Sequence, residues 1–237
     1  MSAVRQDIDA NRDAVDLTIR RRFANRSFSE RPVSRRTIED ILEVARFAPS
    51  GGNIQPWRVY VVAGAKQREI SRALGAAHDE ARDRHSAEYQ YYASPLPEPY
   101  ASRQEDFGAR YYGSLRIERS DAAARARQTA KNYGFFGAPV GLIVAIDRRL
   151  SIGSWLDLGM FIQNVMLAAG ARGLQTCPQE TFAKYHAILR TLLPIPPEDM
   201  VVCGMSIGFA DEACAGTGRL MPKAAVGEFA HFAGFED

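Results

Sequence analysis

Nine residues, Pro49 to Trp57, have the composition best suited to contacting a ligand: two prolines, two glycines, an Asn, a Gln and a Trp. Prolines fix the backbone, glycines allow it to approach another group closely, and side-chain amides both donate and accept hydrogen bonds. A simple connecting loop does not need this mixture. We therefore expect the loop to lie against something flat with polar edges.

A second candidate is a run of cations, Arg20, Arg21 and Arg22, followed by Arg26. Guanidinium groups bind phosphate through two parallel hydrogen bonds, so arginines at a helix–loop junction suit a phosphate monoester. Cations at the C-terminal end of a helix also stabilise its dipole. The sequence alone leaves both interpretations open.

The sharpest formal motif is G-x-S-x-G at Gly204 to Gly208, which matches the nucleophile elbow of serine hydrolases. The elbow requires a strand before the serine and a helix directly after it. The residues after Gly208 are a weak helix candidate, and His231 is the only histidine that follows. We therefore reject the hydrolase and interpret the glycines as small residues in a tightly packed strand end.

Metal and nucleotide motifs are absent from the sequence. His78, His85, His186 and His231 have no H-E-x-x-H spacing, and no C-x-x-C pair occurs. Neither G-x-G-x-x-G nor a P-loop pattern is found. We expect no metal site.

Composition narrows the class further. The chain has 237 residues, 46% of them hydrophobic, and a formal net charge of +2, so no basic surface favours nucleic acid. The longest apolar runs are too short to cross a bilayer, and the N-terminus lacks the apolar stretch of a signal peptide. Three cysteines, Cys177, Cys203 and Cys214, give an odd number. We expect a cytoplasmic protein without membrane or nucleic-acid partners.

Hydrophobic periodicity predicts a single α+β domain over residues 1–237. Ser34 is the predicted N-cap of the second helix, and Pro49 follows its end. Predicted helices cover residues 7–22, 34–48, 66–84, 154–171 and 181–193, and predicted strands cover 58–62, 140–146, 174–177 and 200–207.

Residues 85–135 contain seven of the nine tyrosines. We interpret this segment as an inserted excursion that covers a site with aromatic side chains, although a solvated helical hairpin fits the composition equally well. The segment 210–237 has no clear period and is predicted to wrap a second subunit. The candidate lid residues are Tyr89, Tyr91, Tyr92, Tyr111 and Tyr112.

Taken together, four segments resemble the FMN-dependent nitroreductase family, and the likeness covers nearly the whole chain. The matching family patterns are R-R-S-x-R-x-F before P-V, A-P-S-x-x-N-x-Q-P-W, G-L-x-T-C-P-Q and C-G-M-x-[IL]-G-x-x-D. In this sequence they correspond to Arg22–Phe28 before Pro32-Val33, Ala48–Trp57, Gly173–Gln179 and Cys203–Asp211. The fourth segment also accounts for the elbow-like motif.

The resemblance implies a central, mostly antiparallel sheet flanked by helices, and an intertwined homodimer with FMN at its interface. One subunit would hold the FMN phosphate and ribityl chain, and the loop of the other would line the flavin, with Pro56 and Trp57 anchoring that loop. The backbone N–H near Glu180 would point at flavin N5. The implied cofactor-binding residues are Arg22, Arg26, Pro49, Ser50, Gly51, Asn53, Pro178, Gln179, Glu180, Arg219 and Lys223.

Two departures from the family pattern concern the phosphate. Phe23 and Ala24 stand where the family commonly has a basic residue and a Ser or Thr. Losing one charged and one neutral hydrogen bond to the phosphate would cost about 2–4 kcal/mol of binding free energy if nothing replaces them. Lys223 stands where Arg is more usual and loses the bidentate geometry while keeping the charge.

The implied reaction passes hydride from NAD(P)H through flavin N5 to a nitroaromatic, a quinone or a similar electron-poor acceptor in a ping-pong cycle. The flavin carries the chemistry, so no side chain is required as a catalyst. Two alternatives remain on the same scaffold: a specialised flavin reaction such as reductive dehalogenation, and a flavin-binding protein without turnover.

Overall fold

Four antiparallel strands form one sheet in the order β1-β2-β4-β3. The computed structural model describes residues 3–211 and 221–235, with side chains from Asp7 onward. The strands are β1 (Trp57–Ala63), β2 (Val140–Asp147), β3 (Gln175–Gln179) and β4 (Asp199–Gly208). All four predicted strands are confirmed, each lengthened or shifted by one or two residues at its ends.

Seven α-helices surround the sheet in the described residues. They are α1 (Ala3–Arg21), α2 (Arg35–Ala45), α3 (Gly64–Ala81), α4 (Tyr100–Ser114), α5 (Ala122–Ala130), α6 (Ile152–Gly170) and α7 (His186–Leu192). The predicted helix over 181–193 is divided, because Glu180–Tyr185 is a 3₁₀ turn that leads into α7. Further 3₁₀ turns cover Gly51–Asn53, Arg82–Arg84, Lys131–Gly137 and Val226–Glu228.

The sheet separates two apolar clusters. Side chains of β2 alternate between them: Leu142 and Val144 pack with α2 and α6, whereas Ile143 packs with α3, α7 and the 131–137 turn. This burial on both faces explains why residues 140–146 form an uninterrupted apolar run. The fold is therefore the mixed α and antiparallel β arrangement that the sequence predicts.

A β-bulge interrupts the pairing of β2 with β4. Val144 pairs with Cys203 and Ala145 pairs with Val201, so Val202 is the extra residue on β4. A bulged residue leaves the ladder of main-chain hydrogen bonds, and its carbonyl becomes available to another donor.

Two helices show directly how the sequence sets local structure. Ser34 caps α2 as predicted, because its hydroxyl accepts a hydrogen bond from Thr37 N at 3.1 Å. Helix α6 is long and apolar enough to cross a bilayer by composition alone. Leu158, Phe161 and Val165 of α6 are buried against the sheet and α2, so it is a core helix.

Candidate functional site

The loop before β1 is exposed and held in an uncommon backbone conformation. Gly52, Asn53 and Gln55 have φ values of 57°, 58° and 50°. Positive φ is unfavourable for residues other than glycine and persists only where the surroundings impose it. Residues 51–55 nevertheless expose their side chains and backbone to solvent. Such strain at an exposed position is typical of a binding loop.

Two contacts impose the loop conformation. Gly51 N donates to Asp157 Oδ2 at 3.2 Å, and Gln55 N donates to Ser50 Oγ at 3.1 Å. Asp157 is buried and is the only charged residue of α6. Sequence reasoning missed Asp157, although a lone acid in an otherwise apolar helix was a visible signal.

Pro56 and Trp57 attach the loop to the fold. Pro56 is buried, and the Trp57 ring stacks on Phe161 of α6 with centroids 4.8 Å apart and planes 9° from parallel. The loop is therefore tied to the N-terminal half of α6 at two points, Asp157 and Phe161.

The arginine cluster is divided by the end of α1. Arg20 and Arg21 occupy the last turn, where their charge favours the helix dipole. Arg22 follows the helix and lines a cavity of about 490 Å³ between the ends of α1 and α6 and the start of β3. Arg21 lines the same cavity, so it occupies both a helix-terminal position and a cavity position. The phosphate interpretation of the cluster stays a prediction.

Arg26 lies against the aromatic face of α4. Its guanidinium is 4.7 Å from the ring centroid of Tyr111 and 5.5 Å from that of Phe107. Phe107 also lines a second cavity, of about 500 Å³, together with Lys223. Arg26 and Lys223 therefore approach the same aromatic side chain. Arg219 lies outside the described residues.

The two departures between Arg22 and Arg26 have structural roles. Phe23 is buried in the protein interior. Ala24 forms a parallel bridge with Thr176 of β3, and Asn25 N donates to Thr176 O at 2.9 Å. These contacts align the 22–26 segment along the outer edge of β3.

The end of β3 brings Pro178, Gln179 and Glu180 together. The Gln179 side chain is buried: its Nε2 donates to Asn132 O at 2.8 Å, and its Oε1 accepts from Ser206 Oγ at 2.6 Å. Glu180 begins a 3₁₀ turn, whose first N–H groups lack partners within the turn. Burial raises the pKa of the half-buried Glu180 carboxyl.

The elbow-like motif forms part of β4, as the alternative to the hydrolase predicted. Ser206 is fully buried and donates to Gln179 Oε1 and Phe135 O. A Cβ at Gly204 would lie 2.5 Å from the Phe182 ring, and one at Gly208 would lie 2.6 Å from Pro139. Both glycines therefore permit close packing, and the Ser206 hydroxyl is not presented to a substrate.

The five lid tyrosines differ in their surroundings. Tyr111 is buried and accepts a hydrogen bond from Gln128 at 2.7 Å, while Arg125 lies 3.8 Å from the Tyr112 ring centroid. The hydroxyl of Tyr89 donates to Val202 O. Two of the five, Tyr91 and Tyr92, are exposed and contact each other edge to face at 4.6 Å.

One chain does not bring the two parts of the predicted site together. Gly51 contacts α6 at Asp157, whereas the Arg22 cavity is lined by Met166 and Gly170 of the same helix. Because an α-helix rises 1.5 Å per residue, Asp157 lies about 14–20 Å along α6 from Met166 and Gly170. Among the described residues no cluster of three or more His, Cys, Asp or Glu side chains could hold a metal ion.

Comparison with known proteins places this geometry in context. Residues 19–209 match the model of the nitroreductase family. A 4-nitrobenzoate reductase of Pseudomonas putida is 41% identical over 224 residues, which are 94% of this chain and 97% of that protein. A nitrobenzene nitroreductase of Ectopseudomonas oleovorans is 42% identical over 218 residues, 92% of this chain and 96% of that protein. The crystal structure of an FMN and NADPH-dependent nitroreductase, NfnB from Sphigopyxis sp. strain HMH, superposes with a TM-score of 0.89 at 36% identity, covering 93% of this chain and 99% of that one.

Proposed function

The chain belongs to the nitroreductase family, and we propose that it is an FMN-dependent oxidoreductase that uses NAD(P)H to reduce nitroaromatic compounds. The names of its relatives support nitroaromatic acceptors, and the solved relative supports FMN with a nicotinamide donor. Quinones and similar electron-poor molecules are further acceptors in this proposal.

The layout of β3 is the observation that carries the proposal. Thr176, near its start, pairs with the segment between Arg22 and Arg26, and its last residue leads into the N–H groups at Glu180. At 3.3 Å per residue, Thr176 and Glu180 are about 13 Å apart. An elongated ligand with a phosphate at one end and a planar ring at the other can use both ends of this strand.

FMN fits the residues present. Arg22 and Arg26 would hold the phosphate and ribityl chain, with Lys223 approaching from the tail. Pro178 and the backbone of Gln179 and Glu180 would lie along the ring, because the Gln179 side chain is already hydrogen-bonded inside the protein. These roles use cations for the phosphate and main-chain donors for the ring, as the chemistry of FMN requires.

The loop residues Pro49, Ser50, Gly51 and Asn53 would line the flavin from a second subunit. The loop contacts α6 about 14–20 Å along the helix from the residues that line the Arg22 cavity, and this separation supports a site composed of two subunits. Large apolar side chains next to the loop support a subunit interface, since Ile152 and Leu156 of α6 are 82% and 70% exposed. Further exposed apolar residues are Val15, Leu17 and Ile19 of α1 and Phe229, Phe232 and Phe235 of the tail.

When bound, FMN would supply the hydride-transfer chemistry at N5 between NAD(P)H and the acceptor, in a ping-pong cycle. The protein binds, orients and stabilises charge: the N–H near Glu180 would donate to N5, and the exposed Tyr91 and Tyr92 would stack on a planar acceptor. A cytoplasmic setting fits Cys177 and Cys203, which are buried and unpaired.

The absorbance spectrum of the purified protein tests the proposal. We expect a flavin spectrum that bleaches anaerobically with NAD(P)H and recovers when 4-nitrobenzoate is added. Absence of flavin after reconstitution with FMN would refute the assignment, and bleaching by dithionite alone would point to another electron donor.

Variants of two arginines test the phosphate site. Arg26→Ala should weaken FMN binding by about 1.5–3 kcal/mol, or roughly 10- to 140-fold in Kd, because a charge-assisted hydrogen bond is lost. Arg36→Ala is the matched control, since Arg36 pairs with Asp40 on the exposed surface of α2. Equal Kd values for the two variants, measured by flavin fluorescence, would argue against Arg26 as a ligand.

A further inference from the structure

A half-buried ion cluster lies at the start of the 85–135 segment, outside the proposed cofactor site. Glu88, whose side chain is 17% exposed, accepts from Arg148 Nη2 at 2.8 Å and from Arg190 Nη2 at 3.1 Å. Burial alone would raise the pKa of Glu88, but the hydrogen bonds from Arg148 and Arg190 lower it. Glu88 is therefore an anion held between two cations.

Both arginines are fixed by main-chain carbonyls before β4. Arg148 Nε donates to Pro197 O at 2.7 Å, and Arg190 Nη1 donates to Pro196 O at 2.6 Å. Each also donates through Nη2 to Asp199 O. These hydrogen bonds hold both guanidinium groups in place against the core, so their ion pairs also hold the Glu88 side chain in place.

His186 completes the surroundings of Glu88 without adding charge. Its Nδ1 lies 3.3 Å from Glu88 Oε2 but is not aligned for a hydrogen bond. Burial lowers the pKa of His186, which keeps the ring neutral near pH 7. The carboxylate of Glu88 is therefore compensated by the two arginines.

The next residue, Tyr89, is fixed by two further contacts. Its hydroxyl donates at 2.6 Å to the carbonyl of Val202, the residue that the β-bulge removes from the β2–β4 ladder. Its ring packs edge to face on Trp155 of α6 at 4.8 Å. Two consecutive residues of the segment are thus attached to the core by an ion cluster, a hydrogen bond and a ring contact.

The fixed residues determine where the exposed aromatic side chains begin. Tyr91 and Tyr92 follow within four positions of Glu88 and are 58% and 54% exposed. Val202, which holds the Tyr89 hydroxyl, lies two residues before Gly204 on β4, and Gly204 pairs with Gln179 at the end of β3. Tyr89 is therefore attached next to the end of β3, where we propose that the flavin ring lies.

We propose that Glu88 is a positioning residue: clamped by Arg148 and Arg190, it seats Tyr89 on the β4 bulge and thereby presents Tyr91 and Tyr92 to a planar aromatic acceptor. The inference rests on the proposed function, because it assumes that the acceptor binds near Glu180. In this proposal Tyr89 is held against the core, whereas Tyr91 and Tyr92 form the surface that contacts the acceptor.

Glu88→Gln tests the clamp with little change in shape. In the FMN-loaded protein we expect hydrogen exchange of residues 86–99 to be about tenfold faster, since this segment loses its attachment to the core. The acceptor KM for 4-nitrobenzoate should rise about tenfold because the stacking surface is misplaced, with the rate of flavin reduction by NAD(P)H within about twofold of wild type. Glu105→Gln is the control, because Glu105 pairs with Arg119 on the exposed surface of the same segment.

Tyr89→Phe provides a second variant if Glu88→Gln is poorly folded. It removes the hydrogen bond to Val202 and keeps the ring on Trp155, so the same shifts are expected at smaller size. Faster exchange with an unchanged acceptor KM in both variants would overturn the positioning role, as would unchanged exchange. Failure of the wild-type protein to bind FMN or reduce any acceptor would instead refute the proposed function, and the exchange measurement would still report on the clamp.

Discussion

Replacing Ser206 by alanine removes a single hydroxyl from the buried middle of β4. That hydroxyl has one hydrogen and two acceptors, Gln179 Oε1 at 2.6 Å and Phe135 O at 2.9 Å. Phe135 O also accepts a hydrogen bond from Ala138 N at 3.0 Å, so this carbonyl stays paired when the hydroxyl is removed. No other donor to Gln179 Oε1 is present within the described residues, so the variant leaves a buried acceptor unpaired.

The expected cost follows from that acceptor. An unsatisfied buried polar group costs about 1–3 kcal/mol, so Ser206→Ala should lower the free energy of unfolding by about that amount. For a domain of this size each kcal/mol shifts Tm by about 2–4 °C, which predicts a fall of roughly 2–12 °C. The variant should still bind FMN, with lower affinity, because Gln179 directly precedes the Glu180 N–H.

Urea denaturation at fixed protein concentration is the appropriate assay, with Ser154→Ala as the control. Ser154 is a buried serine of α6 whose hydroxyl makes no hydrogen bond within the described part of the chain. Its removal leaves no partner unpaired and should therefore not lower the free energy of unfolding. Equal stability of the two variants would refute the reasoning about Gln179. Loss of an esterase activity in Ser206→Ala would instead favour the rejected hydrolase.

Three other perturbations address the same core and site. Gly204→Ala places a Cβ 2.5 Å from the buried Phe182 ring, and this overpacking should cost about 1–3 kcal/mol in the free energy of unfolding by urea denaturation. Glu180→Gln should gain stability relative to wild type as the pH rises above about 4.5. The reason is that burial raises the pKa of the folded carboxyl above its ordinary 4.5, so wild-type stability falls as the pH rises from that value; parallel stability–pH curves would contradict this. Burial raises the thiol pKa to about 11 for Cys177 and to about 12 for Cys203. Both thiols should therefore remain unmodified by Ellman's reagent at pH 8 until the protein unfolds, which peptide mass spectrometry can measure.

Local patterns predicted most secondary-structure elements. The apolar run at 140–146 became β2 and the apolar helix at 154–171 became α6, because periodicity and burial are properties of neighbouring residues. The capping role of Ser34 was predictable for the same reason, since the cap and Thr37 are three residues apart. The 3₁₀ turn at Glu180–Tyr185 was not predicted, because it depends on packing against β4.

Long-range contacts divided residues that looked equivalent in sequence. The five tyrosines of the aromatic segment share one composition, yet Gln128 holds Tyr111, Arg125 covers Tyr112, and the β4 bulge holds Tyr89. Their partners are up to 113 residues away in sequence. No local rule could have separated the fixed tyrosines from the two that remain exposed.

The sequence by itself determined the family, the order of the four strands and of five of the seven described helices, and the residue types of the candidate site, because motif spacing and periodicity are written along the chain. Only the tertiary structure decided which of those residues turn into the core and which stay exposed. Gln179 turns inward to Ser206, Asp157 holds the loop, and the loop lies about 14–20 Å along α6 from the Arg22 cavity. The direction of a side chain is set by whichever distant group satisfies it, and that pairing exists only after the chain has folded.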